Sequence, residues 1–101
     1  TPSVIIEIIW QVVAAIPIGK VMTYGQIAKQ CGYPGYARYV GSSLKKLPED
    51  SSLPWHRVIN AQGEISFPPD SEAYQQQKAL LQYEGVQFQG KRIRLSVYGW
   101  K

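Results

Sequence analysis

The stretch from Thr23-Tyr24-Gly25-Gln26 to Leu47-Pro48 constrains the fold of this chain more than any other. Thr23 and Gln26 have the spacing of a capping box, in which a threonine hydroxyl accepts from the third helical N–H while the glutamine reaches back to the threonine N–H. A short helix is therefore predicted after Thr23, running to about Cys31 and closed by Gly32, where a left-handed backbone ends a helix. Gly32-Tyr33-Pro34-Gly35 reads as a tight turn, and a second helix follows from about Tyr36 to Leu47, stopped by Pro48. Ala37, Val40, Leu44 and Leu47 recur at core-facing helical spacing, while Arg38, Ser42 and Lys45 fall on another face beside Gly41. Helix, glycine-bearing turn and helix make the helix-turn-helix pattern, although many all-helical domains share such a turn and bind no nucleic acid.

The remaining segments fit around this unit. At 101 residues, 45% of them hydrophobic, the chain supports one domain spanning 1–101. A first helix is predicted from about Val4 to Ala15. The apolar run to Ile18 carries Glu7 and Gln11, meets Pro17, has no basic residues before it and falls short of the ~20 residues a membrane span needs. It reads as an amphipathic helix, with no membrane role. Glu49 to Trp55 is expected to be a loop, Val58-Ile59 a short buried segment and Asn60-Ala61-Gln62-Gly63 a turn. Another helix should run from about Ser71 to Glu84 and stop at Gly85. Val86-Gln87-Phe88, the Gln89-Gly90 turn and Arg92-Ile93-Arg94-Leu95 alternate like a small hairpin. The expected fold is mainly α: a small winged helix-turn-helix domain with a short β-hairpin wing.

Single occurrences exclude several chemistries. One cysteine, Cys31, cannot form an intrachain disulfide, which fits a reducing compartment; the expected location is the cytoplasm, at the bacterial nucleoid. One histidine and scattered acids argue against a metal centre, and no cofactor is expected. The charge of +4 is segregated: five bases and no acid lie between Lys20 and Lys46, and four bases and no acid from Gly85 onward, while six of the seven acids lie between Glu49 and Glu84. Such segregation favours one basic face, suited to a polyanion. A solvated mixed surface is the other reading of the same charges.

Pro54-Trp55-His56-Arg57-Val58-Ile59 looks like a reaction centre without its reactive atom. A cysteine before His56 would place a thiolate beside an imidazole, the usual way to activate sulfur. Tryptophan supplies an N–H donor and a large π-face, but no nucleophile.

Taken in order, Ile16-Pro17-x-Gly19-x-Val21-x-Thr23-Tyr24-Gly25-x-Ile27-Ala28, Gly32-x-Pro34, Ala37-Arg38-x-Val40-Gly41, Pro54-x-His56-Arg57-Val58-Ile59 and Leu80-Leu81-x-x-Glu84-Gly85 closely resemble the C-terminal, DNA-binding domain of the O6-alkylguanine-DNA alkyltransferases. With tryptophan at position 55, the resemblance is to the alkyltransferase-like branch. It implies minor-groove binding of duplex DNA by the helix-turn-helix and extrusion of an O6-alkylguanine nucleotide without removal of the alkyl group. Arg38 matches the arginine finger that fills the vacated stack; a phosphate contact or a salt bridge is its ordinary alternative. Tyr24, Leu44, Trp55 and Val58 match the lesion pocket, though each of the apolar ones can equally serve the core. Thr23, Tyr24, Gln26, Tyr36, Ala37, Arg38, Gly41, Ser42 and Lys45 make the implied DNA-binding surface. His56 and Glu84 match the relay that would draw the proton from a catalytic thiol, and without a thiol they are expected to form a hydrogen-bonded structural pair.

The resemblance further implies a monomer that marks its lesion for nucleotide excision repair proteins. Two departures stand out: Leu47 replaces an asparagine before Pro48, and Ser66-Phe67-Pro68-Pro69-Asp70-Ser71 replaces a glycine-rich substrate loop expected to border the pocket. Two other functions stay open on sequence: an active alkyltransferase using Cys31, and a winged-helix transcription regulator reading undamaged sequence.

Overall fold

The computed structural model describes residues 2–47 and 52–100. Helix α1 spans Pro2–Ala14 and buries Ile9 and Val13 on one side while Glu7 and Gln11 face solvent. After Ile16 closes over the same core, the chain turns at Gly19 and enters strand β1, Met22–Thr23. Helix α2, Tyr24–Gln30, starts at the anticipated capping box: the Thr23 hydroxyl accepts from Gln26 N–H at 3.1 Å, and Gln26 Oε1 accepts from Thr23 N–H at 3.0 Å. It ends at Gly32, whose φ of +87° suits glycine. Helix α3, Ala37–Lys45, follows the turn, and α1, α2 and α3 pack about one core of Ile9, Val13, Ile16, Met22, Ile27, Ala28, Val40 and Val58. Full burial of each branched side chain contributes about 1.5–3 kcal/mol.

The α3 stripe is corrected in part. Val40 is fully buried, but Leu44 is only partly covered and Leu47 lies beyond the helix end. Ser43 is buried instead, donating its hydroxyl to Val40 O at 2.8 Å, so a polar side chain enters the core with its hydrogen bond made. Pro48 and the first three residues of the expected Glu49-to-Trp55 loop lie outside the described residues.

The chain resumes toward a 3-10 turn, Trp55–Arg57, that leads into β2, Val58–Ile59. The predicted buried segment is thus a strand, paired in parallel with β1 (Met22 opposite Val58, Thr23 opposite Ile59). Helix α4, Glu72–Tyr83, is capped by Ser71, whose hydroxyl oxygen accepts from Tyr74 N–H at 3.2 Å. Strands β3, Phe88–Gln89, and β4, Arg92–Ile93, form the wing.

The wing is shorter than anticipated, because Leu95 opens helix α5, Leu95–Tyr98, instead of extending β4. Leu95 and Tyr98 thereby pack on a second core of Val21, Ile59, Leu81, Val86 and Ile93. Val21 N–H donates to Tyr98 O at 2.8 Å and Trp100 N–H to Val21 O at 2.9 Å, stitching the chain after α5 beside β1. Among the described residues, no helix is long and apolar enough to cross a membrane and no acid, histidine and cysteine cluster could hold a metal.

Candidate nucleic-acid interface

Helix α3 presents two functional faces. Val40 and Ser43 anchor it to the core, leaving Arg38, Ser42 and Lys45 exposed at i, i+4 and i+7. Beneath this outer row lies a cavity of about 400 Å³. One wall is α3 itself, through Ala37, Arg38, Gly41, Ser42, Leu44 and Lys45. Tyr24, at the first turn of α2, closes one side, and Trp55 and Val58 face it from the 3-10 turn and β2. Ser66, Phe67 and Pro68 border it from the substituted loop, and Gln77 reaches it from α4.

Gly41 contributes by being small. A Cβ there would stand 3.8 Å from the Tyr24 ring, an ordinary contact, so the glycine preserves cavity space and does not relieve a clash. Trp55 is half-buried and meets Phe67 nearly edge-on, with centroids 6.4 Å apart at 82°, and His56 likewise at 6.1 Å and 88°. The cavity therefore has an aromatic corner where a nucleophile would otherwise stand. Among the described residues its charged lining is Arg38 and Lys45, with no acid. Arg38 has no ion-pair partner among the described residues, which leaves its guanidinium available at the mouth.

Behind Trp55 the 3-10 turn is held from two directions. His56 Nε2 lies 2.8 Å from Glu84 Oε2. Arg57 donates through Nε to Glu84 Oε1 at 2.9 Å and through Nη2 to Oε2 at 2.7 Å, while its Nη1 donates to Ile16 O at 2.7 Å. One arginine thus ties the turn to the end of α4 and to the segment after α1, in the bidentate geometry that makes such pairs strong. The Arg57 guanidinium bonding Glu84, helped by His56, outweighs burial and holds the carboxyl at about 2, against an ordinary 4.5. Arg57 and Gln77 were missed as site residues. Their adjacency to His56 in sequence, for Arg57, and their polar character on an otherwise core-facing path, for Gln77, are the signals that could have found them.

The remaining sequence-predicted residues divide by placement. Tyr36 precedes α3, half its surface exposed, with the Tyr33 and Tyr39 rings 5.6 and 6.3 Å away. Gln26 is exposed, but its carboxamide oxygen serves the capping box. Thr23 is buried and its hydroxyl is occupied by the same cap, so its role is to set where α2 begins. His56 and Glu84 stand behind the cavity and do not line it. Cys31 lies at the end of α2, partly covered and packed on the first core, away from the cavity lining. Burial pushes its thiol pKa up, the opposite of what an activated nucleophile needs.

The chain is similar in sequence and fold to known proteins. The family model described as the 6-O-methylguanine DNA methyltransferase, DNA-binding domain, matches residues 6–86. A Vibrio parahaemolyticus protein named DNA base-flipping protein is 53% identical over 95 residues, covering 92% of both chains. Alkyltransferase-like protein 1 of Schizosaccharomyces pombe is 43% identical over 98 residues, covering 92% of this chain and 91% of its own. The crystal structure of Schizosaccharomyces pombe Atl1 in complex with damaged DNA containing O6-carboxymethylguanine aligns with a TM-score of 0.90 at 41% identity, covering 98% of this chain and 96% of that one.

Proposed function

The chain belongs to the 6-O-methylguanine DNA methyltransferase DNA-binding family, and we propose that it acts there as a non-catalytic alkyltransferase-like sensor of O6-alkylguanine in duplex DNA. The observation that carries this reading is the cavity under α3, where Trp55 stands at the nucleophile position and no cysteine lines the wall. Arg38 and Tyr24 flank the same opening, as a flipped base and the plug that replaces it require.

The mechanism follows from those placements. Ser42 and Lys45, on the exposed row beside Arg38, meet the phosphate backbone of the minor groove and set the register of α3. Tyr24 crowds the target nucleotide from the start of α2, and Arg38 enters the stack as the base leaves. Trp55 and Phe67 then receive the extruded base. Contact with an aromatic ring contributes ~1–3 kcal/mol. Extrusion costs a few kcal/mol, and less for a weakly paired alkylated base. Because these magnitudes nearly cancel, the weakened pairing decides which nucleotide stays out. Selectivity thus arises without chemistry. The protein acts as a monomer in the cytoplasm, and the deformed, occupied DNA is what nucleotide excision repair proteins would recognise.

Titration of matched duplexes with and without one O6-methylguanine, followed by mass spectrometry of the protein, tests this. Tighter binding to the lesion with an unchanged protein mass is expected. Equal affinity for both duplexes would refute the sensor, and a gain of one methyl group would refute the absence of catalysis.

A further inference from the structure

Four of the five large apolar side chains exposed among the described residues stand outside the cavity lining and off α3: Ile18, Leu80, Tyr83 and Val97. Short contacts gather them. A Cβ on Gly19 would stand 3.4 Å from Glu84 O, which sets Ile18 beside the end of α4. Lys20 Nζ donates to Val97 O at 3.2 Å and Val21 N–H to Tyr98 O at 2.8 Å, which sets the same segment beside α5. Leu80 lies one turn before Tyr83 on α4. Tyr83 is 92% exposed and Ile18 72%, so neither serves the core. Single exposed apolar residues are ordinary, whereas several brought together from three segments mark an interaction surface.

The charge around this patch selects its partner. Lys20 is fixed beside Val97 by its hydrogen bond, and Arg94 is exposed at the N-cap of α5, three residues before Val97. Neither has an ion-pair partner among the described residues. Glu84, the acid of these segments, already faces Arg57 and His56. Nucleic acid would use the two bases but leave the aliphatic groups uncovered. A second copy across a twofold axis would bring Lys20 and Arg94 toward their own images. We propose that this surface docks an acidic amphipathic segment of a partner protein, its apolar side chains on Ile18, Tyr83 and Val97 and its carboxylates on Lys20 and Arg94. The surface is firmly mounted: Arg57 bonds Glu84, next to Tyr83, and Ile16 O, two residues before Ile18, so little ordering is left to be done on docking. None of the patch residues lines the cavity, so DNA and partner bind together and the inference stands apart from the lesion reading.

Two designed helical peptides test this on the full 15N-labelled chain, with and without an O6-methylguanine duplex. Both carry leucines along one face; the first has glutamates on the other face, and its twin has lysines there. The glutamate peptide should shift the amides of residues 18–20, 83–84 and 94–98, with or without DNA, and bind about tenfold tighter than its twin. Tyr83→Ser should weaken it about tenfold, and Ile18→Ser, in an exposed turn, serves if the first variant fails to fold. Arg94→Glu should lower the affinity of the glutamate peptide and raise that of the lysine peptide, with lesion affinity unchanged. An absent response, shifts confined to α3 or to the β3–β4 turn, equal binding of the two peptides, or displacement of the peptide by the duplex would each overturn the proposal. Patch shifts that grow with protein concentration alone would make a second copy the occupant and overturn it as well.

Discussion

Replacing Glu84 by glutamine tests the idea that the former relay now serves as a clamp. Glu84 receives three hydrogen bonds from the 3-10 turn through His56 and Arg57, and the Arg57 and Glu84 side chains are each 12% exposed. Glu84→Gln keeps the shape but leaves the Arg57 guanidinium without its counter-charge. Breaking a buried pair costs about 3–5 kcal/mol. Solvent at the open edge of this pair lowers the expectation to about 2–3 kcal/mol. The pH dependence supplies the sharper check. Glu84 releases its proton at about 2 in the folded protein, against an ordinary 4.5. Its carboxylate therefore contributes full stability above pH 4.5, and that contribution is lost as pH falls toward 2, by at most ~1.4 kcal/mol per pH unit. Urea unfolding of both proteins, followed by tryptophan fluorescence at pH 6.5 and pH 3, measures the difference. The gap of about 2–3 kcal/mol at pH 6.5 should narrow by about 1–2 kcal/mol at pH 3. An equal gap at both pH values, or one below about 0.5 kcal/mol at pH 6.5, would refute the clamp.

Three further substitutions probe other parts of the site. Arg38→Ala should weaken binding to O6-methylguanine DNA about tenfold or more while affecting undamaged DNA less; equal losses in a fluorescence titration would reduce Arg38 to a phosphate contact. Trp55→Cys restores a thiol beside His56, yet little or no methyl transfer is expected in intact-mass measurements, because Leu47 and the Ser66-to-Ser71 loop retain their changes. Gly63→Ala places a Cβ 2.7 Å from Ile93 O at a residue with φ of +81°, so it should cost about 2–3 kcal/mol and lower the melting temperature without changing lesion preference in the protein that remains folded.

Local punctuation in the sequence carried most of the helical frame. The Thr23 and Gln26 pair, the glycines at positions 32 and 85, and the alternation around the Gln89-Gly90 turn each act within a few residues, and each marks an element that formed there, the hairpin in shorter form. Parallel pairing of β1 with β2 was not legible, because Met22–Thr23 is two residues long and its partner lies 36 positions away, at Val58–Ile59. Helix α5 was hidden for a related reason. Leu95 fits strand alternation locally, and only its packing with Tyr98 on the second core makes a helical turn preferable. At the site, the motif brought Tyr24, Arg38, Leu44, Trp55 and Val58 to one cavity. It gave no sign of Gln77, whose place there depends on two backbone carbonyls from another part of the chain.

Those same bonds explain how a reactive residue can be exchanged without dismantling its site. Position 55 occupies a 3-10 turn whose path is fixed by groups other than its own side chain: Gln77 holds the carbonyls of residues 56 and 58, and Arg57 holds Glu84 and Ile16 O. A side chain at 55 therefore projects into the cavity whatever its chemistry, provided the loop opposite makes room. Phe67 supplies an edge-on partner for the larger indole. Substituting tryptophan for a thiol removes the covalent outcome, which would release the protein from its lesion, while adding aromatic contact that favours the extruded state. A clamp independent of the nucleophile is thus the physical condition for converting a flipping enzyme into a flipping sensor, and disrupting that clamp should impair lesion binding even though none of its charged members touches the base.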